Sequence, residues 1–172
     1  MANLHQSISK AGLSFDIQNN FGSKEVLLKA SKLFQGTNAD RLVAIGEFVG
    51  KTSEKDRKLF GDGLVTAAPA LDFVPKSPIS SEKATAAGKL ISSITDEQAA
   101  LLSSLTGSLT KEQKEIINAG TALTASSADR TSATFKLIGS MSPVQSAMGM
   151  KLLVSLTPEQ KANFNTATGL SF

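Results

Sequence analysis

The chain has 172 residues, 41% hydrophobic and 19% charged, which suits one folded domain or one compact repeat array and is too apolar for a disordered chain. It contains no Cys, Trp or Tyr and a single His, so disulfides, thiolate metal sites and a His/Cys metal cluster within one chain are excluded, and Leu, Ile, Val, Ala, Met and nine Phe must build the core. The net charge of +3 is spread along the chain without a basic stripe between aromatic residues, which argues against nucleic acid as a partner.

Residues 1–22 read as an N-terminal extension carrying Leu4, Ile8, Leu13, Phe15 and Ile17. It lacks a continuous apolar stretch of the secretory type, and no run in the chain approaches the roughly 20 residues of a membrane span, so the expectation is a soluble, intracellular protein. His5 lies in this extension, where a solvent-exposed imidazole is expected rather than a catalytic partner.

From Ser23 onward the chain repeats itself. Shifted by 47 residues, Lys89–Ile117 lies over Lys136–Phe164 without a gap, and 13 of the 29 positions are identical, where composition alone would give about two. A shift of 57 residues brings the same segment over Lys32–Phe60, with fewer identities but matching apolar character. Together these define units at residues 23–68, 80–125 and 127–172.

Each unit predicts three short helices. In the first they open after Ser23, Asn38 and Ser53; the mixed-sign run Lys51–Lys58 reads as a solvated face, and "GDG" at Gly61–Gly63 is too short for a calcium loop. Residues 69–79 hold Pro69, Pro75 and Pro78 and form a helix-breaking linker. In the second unit the helices open after Ser80, Thr95 and Thr110, with Ala84, Ala87, Leu90, Ile91 and Ile94 at helical spacing. In the third they open after Ser127, Ser142 and Thr157, and Pro143 and Pro158 occupy first helical positions, where a missing N–H costs nothing.

The phrases "SITDEQ", "SLTKEQK" and "SLTPEQK" recur at Ser93, Ser108 and Ser155. Thr followed three residues later by Gln is a capping box: the hydroxyl accepts from the backbone ahead and the Gln side chain reaches back. Thr95/Gln98, Thr110/Gln113 and Thr157/Gln160 fit it, with Ile94, Leu109 and Leu156 placed for hydrophobic staples. The same "LTxxQ" also resembles the signature of the periplasmic Spy/CpxP group of stress chaperones and metal sensors, over about ten residues at two or three places. That resemblance implies a chaperone that forms a concave dimer and is made as an exported precursor. The family has long, highly charged helices, whereas this chain has short ones of low charge.

Catalytic equipment is sparse. Three SxxK matches, Ser7/Lys10, Ser80/Lys83 and Ser108/Lys111, are expected by accident in a chain so rich in Ser and Lys, and no P-loop or GxGxxG occurs. Glu112 and Glu159 recur in first helical turns, where they complement the helix dipole. No catalytic, metal or cofactor residue is therefore assigned. Met141 and Met148 stand where the second unit has Ile94 and Leu101 and read as core, while Met150 replaces the polar Ser103 and reads as a contact for a partner or apolar ligand.

The expected fold is all-α: about nine short helices in three repeated three-helix units, stacked as a solenoid or closed about a pseudo-threefold axis. The expected function is a non-enzymatic structural or adaptor subunit making protein–protein contacts or self-associating, with Leu4, Ile8, Phe15, Met150, Leu170 and Phe172 as partner-binding candidates. The alternatives are a carrier holding an apolar ligand or pigment in a helical cavity, and a Spy/CpxP-like chaperone.

Overall fold

All eight α-helices among the described residues begin on a hydroxyl. In the computed structural model the described residues are Leu33 and residues 35–73, 79–122 and 124–170. They form α1 Asn38–Lys51, α2 Glu54–Ala67, a 3-10 segment Ala68–Phe73, α3 Ser81–Ser93, α4 Asp96–Gly107, α5 Lys111–Gly120, α6 Ser127–Ser140, α7 Pro143–Ser155 and α8 Pro158–Thr168. No strand occurs among these residues, and the protein is all-α. None of these helices is long and apolar enough to cross a membrane.

The N-caps are Thr37, Ser53, Ser80, Thr95, Thr110, Ser126, Ser142 and Thr157, each accepting from the backbone N–H three residues on. This satisfies one of the four amide donors that every helix start leaves without an intrahelical partner. The three expected Thr/Gln boxes close, and Ser142/Gln145 closes a fourth of the same kind.

Several expectations need correction. The described residues hold eight helices and a 3-10 segment rather than nine helices. The helix expected from Ser23 lies outside the described residues except at Leu33, which is helical and buried. The next helix caps on Thr37 instead of Asn38, because Asp40 accepts from the Thr37 N–H and hydroxyl while Thr37 accepts from the Asp40 N–H. Asn38 instead reaches across to Thr121 on the far side of α5. For the same reason α6 caps on Ser126, which closes a box with Asp129, and not on Ser127. The linker is also more structured than three prolines suggest, since Pro69 sits in the first turn of the 3-10 segment, where no N–H is required.

The run Lys51–Lys58 is not wholly a solvated face, because Arg57 within it is almost fully buried. Its guanidinium donates to the Thr52 and Val49 carbonyls, at 2.6 and 3.2 Å, and to the Asp96 carboxylate, so α2 is tied to the end of α1 and the start of α4. A buried cation is tolerable only when partnered in this way.

The helices pack in two rows. The first runs α1–α4–α7 and the second α2–α3–α8, while α5 packs against α6 and meets α1. Where α2 crosses α3, Gly61 and Gly88 allow direct backbone contact: a Cβ on Gly61 would lie 2.4 Å from the Gly88 carbonyl oxygen, and one on Gly88 would lie 2.7 Å from that of Gly61. Burial is densest at this end, where Phe48 packs on Phe60 with ring centroids 4.6 Å apart and the rings tilted by 50°. It thins toward α6 and α7, each of which buries only two residues.

Candidate interaction site

The Gln side chains of the four Thr/Gln and Ser/Gln boxes do more than cap. Gln98 and Gln160 are buried against each other, each Nε2 donating to the other's Oε1 at 3.2 and 3.1 Å. Gln98 also donates to the Ser155 carbonyl at the end of α7, and Gln160 to the Ser93 carbonyl at the end of α3, at 2.7 and 2.8 Å. Both Oε1 atoms accept from their own cap N–H groups, Thr95 and Thr157. Gln113 and Gln145 repeat the arrangement: they bond each other at 3.0 Å and donate to the Ser140 and Ser108 carbonyls at the ends of α6 and α4. Each amide thus has two donor and two acceptor contacts filled, and each pair joins four helix ends. Burying such a group is favourable only when it is satisfied this completely.

These clamps hold α6 by its end and α7 by both ends, and leave several large apolar side chains of the two helices exposed among the described residues. Phe135 and Ile138, three residues apart on α6, are 71% and 55% exposed, and Met150 and Val154, four apart on α7, are 62% and 79% exposed. Those spacings put each pair on one helix face. Val144, at the start of α7, is exposed as well. Scattered apolar residues need no explanation, but Ile138 of α6 and Met150 of α7 meet at the edge of one cavity, and exposed apolar residues gathered at one feature are of the kind that marks interaction surfaces.

Inside this surface lies an apolar cavity of about 190 Å³. Its walls include Leu42 of α1, Leu105 of α4, Leu137 of α6, Leu152 of α7, Phe164 of α8 and the C-terminal Leu170, with Ile138 and Met150 at the exposed edge. Met141 lines it half-buried; Met148, also half-buried, does not line it. Thr106 and Ser146 are the only hydroxyl-bearing residues of the wall, and the Thr106 hydroxyl already donates to the Leu102 carbonyl at 2.8 Å.

Of the partner-binding candidates, Met150 is exposed on the α7 face and Leu170 is buried in the cavity wall, so the two meet at one feature. Leu4, Ile8, Phe15 and Phe172 lie outside the described residues, as does His5. Sequence reasoning did not single out Phe135, Ile138 or Val154. Their signal was the slide of 47 residues, which sets Phe135 against Gly88.

Hydrogen bonds from the Thr37 hydroxyl and N–H hold the Asp40 carboxyl below its ordinary range, and those from Ser126 do the same for Asp129. Burial lowers the Arg41 guanidinium from its usual value. Among the described residues, no group of three or more His, Asp or Glu side chains is placed to hold a metal ion. The chain matches no protein-family model, no curated protein and no solved structure.

Proposed function

We propose that the protein is a non-enzymatic structural or adaptor subunit built from three copies of a three-helix unit, whose third copy receives a helix of a protein partner on the outer face of α6 and α7. The observation that carries this reading is a contrast between equivalent positions 47 residues apart. Ile91 is 1% exposed while its counterpart Ile138 is 55% exposed. Gly88 is pressed against Gly61 and Val65, and Ser103 lies against Gly50, yet their counterparts Phe135 and Met150 face solvent. In the second unit this face is covered by the helices α1 and α2. In the third unit it is bare and larger in apolar content.

Other features support the repeat reading. Shifting by 47 residues carries Gln98 onto Gln145 and Gln113 onto Gln160, so the two amide pairs exchange places with their carbonyl partners. The helix contacts exchange in the same way: α3 packs on α8 as α6 packs on α5, and α4 meets α7. These reciprocal contacts relate the second and third units by a two-fold exchange, and α7 ends the row α1–α4–α7 with one side unpaired among the described residues. Covering Phe135, Ile138, Met150 and Val154 would contribute about 1.5–3 kcal/mol for each large side chain before the costs of association.

Native mass spectrometry of the protein isolated from its source tests the reading. A stoichiometric complex with a different protein supports it. A homodimer would replace the foreign helix with a second copy of α7, and a bare monomer would contradict the function.

A further inference from the structure

We propose that the cavity between α4, α5, α6, α7 and α8 is a binding site for a small uncharged apolar molecule, a hydrocarbon or aromatic ring of several carbons, entering beside Ile138 and Met150. The cavity is present because a side chain is missing. Gly149 lies in the middle of α7 and lines the space, and a Cβ built on it would meet only the Leu105 Cδ2 atom, at 3.9 Å. Leu102, the residue 47 positions earlier, is buried in the core. Glycine within a helix is the least favourable choice after proline, so local preference does not explain it. Of the other helical glycines, Gly46, Gly50, Gly61, Gly88 and Gly120 each leave a Cβ less than 3.0 Å from a neighbour, and Gly107 and Gly139 are exposed with open space beside them. Gly149 is half-buried, and among the described residues only Leu105 comes within 4 Å of its Cβ position.

The wall specifies the ligand class. A dry cavity of about 150 Å³ lined by aliphatic and aromatic side chains is large enough for benzene, and this one is about 190 Å³. Thr106 has its proton committed to Leu102, which leaves Ser146 as the one hydroxyl of the described wall free to donate to a ligand atom. Among the described residues no ionisable side chain lines the space, so a charged group would be desolvated without a partner among them. A polar end, if the ligand has one, must remain at the Ile138–Met150 edge.

This proposal stands on the cavity and on Gly149, and a protein partner on the outer face is not required for it. Titration of full-length protein carrying ¹³C-methyl methionine with benzene and toluene tests it directly. Saturable shifts are expected at Met141 and Met150, which line the cavity, with little change at Met148, which does not. Gly149→Leu should fill the space, raise the melting temperature of the unliganded protein and weaken probe binding by roughly tenfold or more. Should that variant fail to fold, Gly149→Ala decides: it adds one methyl where the nearest atom is 3.9 Å away and should weaken binding severalfold. No saturable shift in the wild type would overturn the proposal. So would equal binding by wild type and both variants, which would place the probe elsewhere.

Discussion

The α2–α3 crossing and the outer face of α6–α7 hold residues that stand 47 positions apart in the sequence, Gly88 and Phe135, and they have opposite surfaces. At the crossing, Gly61 and Gly88 bring two backbones into contact, and nothing larger fits. On α6 the matching position holds Phe135, which is 71% exposed. One place is filled by the chain's own helices, and the other carries bulky apolar side chains exposed among the described residues. Small residues mark helix contacts here, and the proposed partner contact falls where large apolar ones are exposed.

Substitutions at the two places should behave oppositely. Gly61→Ala puts a methyl 2.4 Å from the Gly88 carbonyl oxygen and 2.7 Å from the Ser92 amide nitrogen; because both obstacles include backbone, the loss should be about 3 kcal/mol in denaturant unfolding. Phe135→Ser, by contrast, should leave unfolding within about 0.5 kcal/mol of wild type. A Gly61→Ala variant as stable as wild type would mean that the crossing is looser than described.

The clamps between the two regions come next. Gln98→Ala removes two donated hydrogen bonds and leaves the Gln160 amide and the Ser155 carbonyl short of partners. The expected cost is about 2 kcal/mol, and the double variant with Gln160→Ala should cost less than the sum of the singles, since both act on one network. Strict additivity in that cycle would show that the pair does not act as a unit.

Loss of a cap alone should be smaller. Thr157→Ala removes the hydroxyl that accepts from the Gln160 N–H and should cost about 1 kcal/mol. Neutrality in urea unfolding would put the start of α8 elsewhere.

The smallest effect concerns acid. Asp40 and Asp129 have carboxyls held below their ordinary pKa of 3.8 by the Thr37 and Ser126 hydrogen bonds. Their contribution is complete above that ordinary value and is lost as pH falls through the lower folded-state values. The Gln boxes do not titrate, so Asp40→Asn together with Asp129→Asn should flatten only the acid limb of the stability profile. An unchanged limb would assign acid sensitivity to other carboxylates.

Helix starts were legible in the sequence because capping is local: a hydroxyl and a residue three positions on decide it, as at Thr95, Thr110, Ser142 and Thr157. The errors at Thr37 and Ser126 arose where Asp completes the box and two candidate caps stand side by side. What Gln98 and Gln113 do with their remaining protons was not legible, since Gln160 is 62 residues from one and Gln145 is 32 from the other. Arg57 was misread because a charge run shows composition and not which member turns inward. Met150 could be singled out because it broke the pattern of its own repeat. Gly149 breaks the same pattern, but a glycine inside a helix shows in sequence only that a side chain is absent, and whether a neighbour fills the space depends on tertiary packing.

The measurement closest to the central claim is hydrogen–deuterium exchange on the complex isolated from the source, compared with the protein freed from its partner. Partner binding to the outer face predicts added protection concentrated in α6 and α7, from Ser127 to Ser155, with α2 and α3 unchanged. Protection confined to α2 and α3, with α6 and α7 exchanging equally in both states, would contradict it.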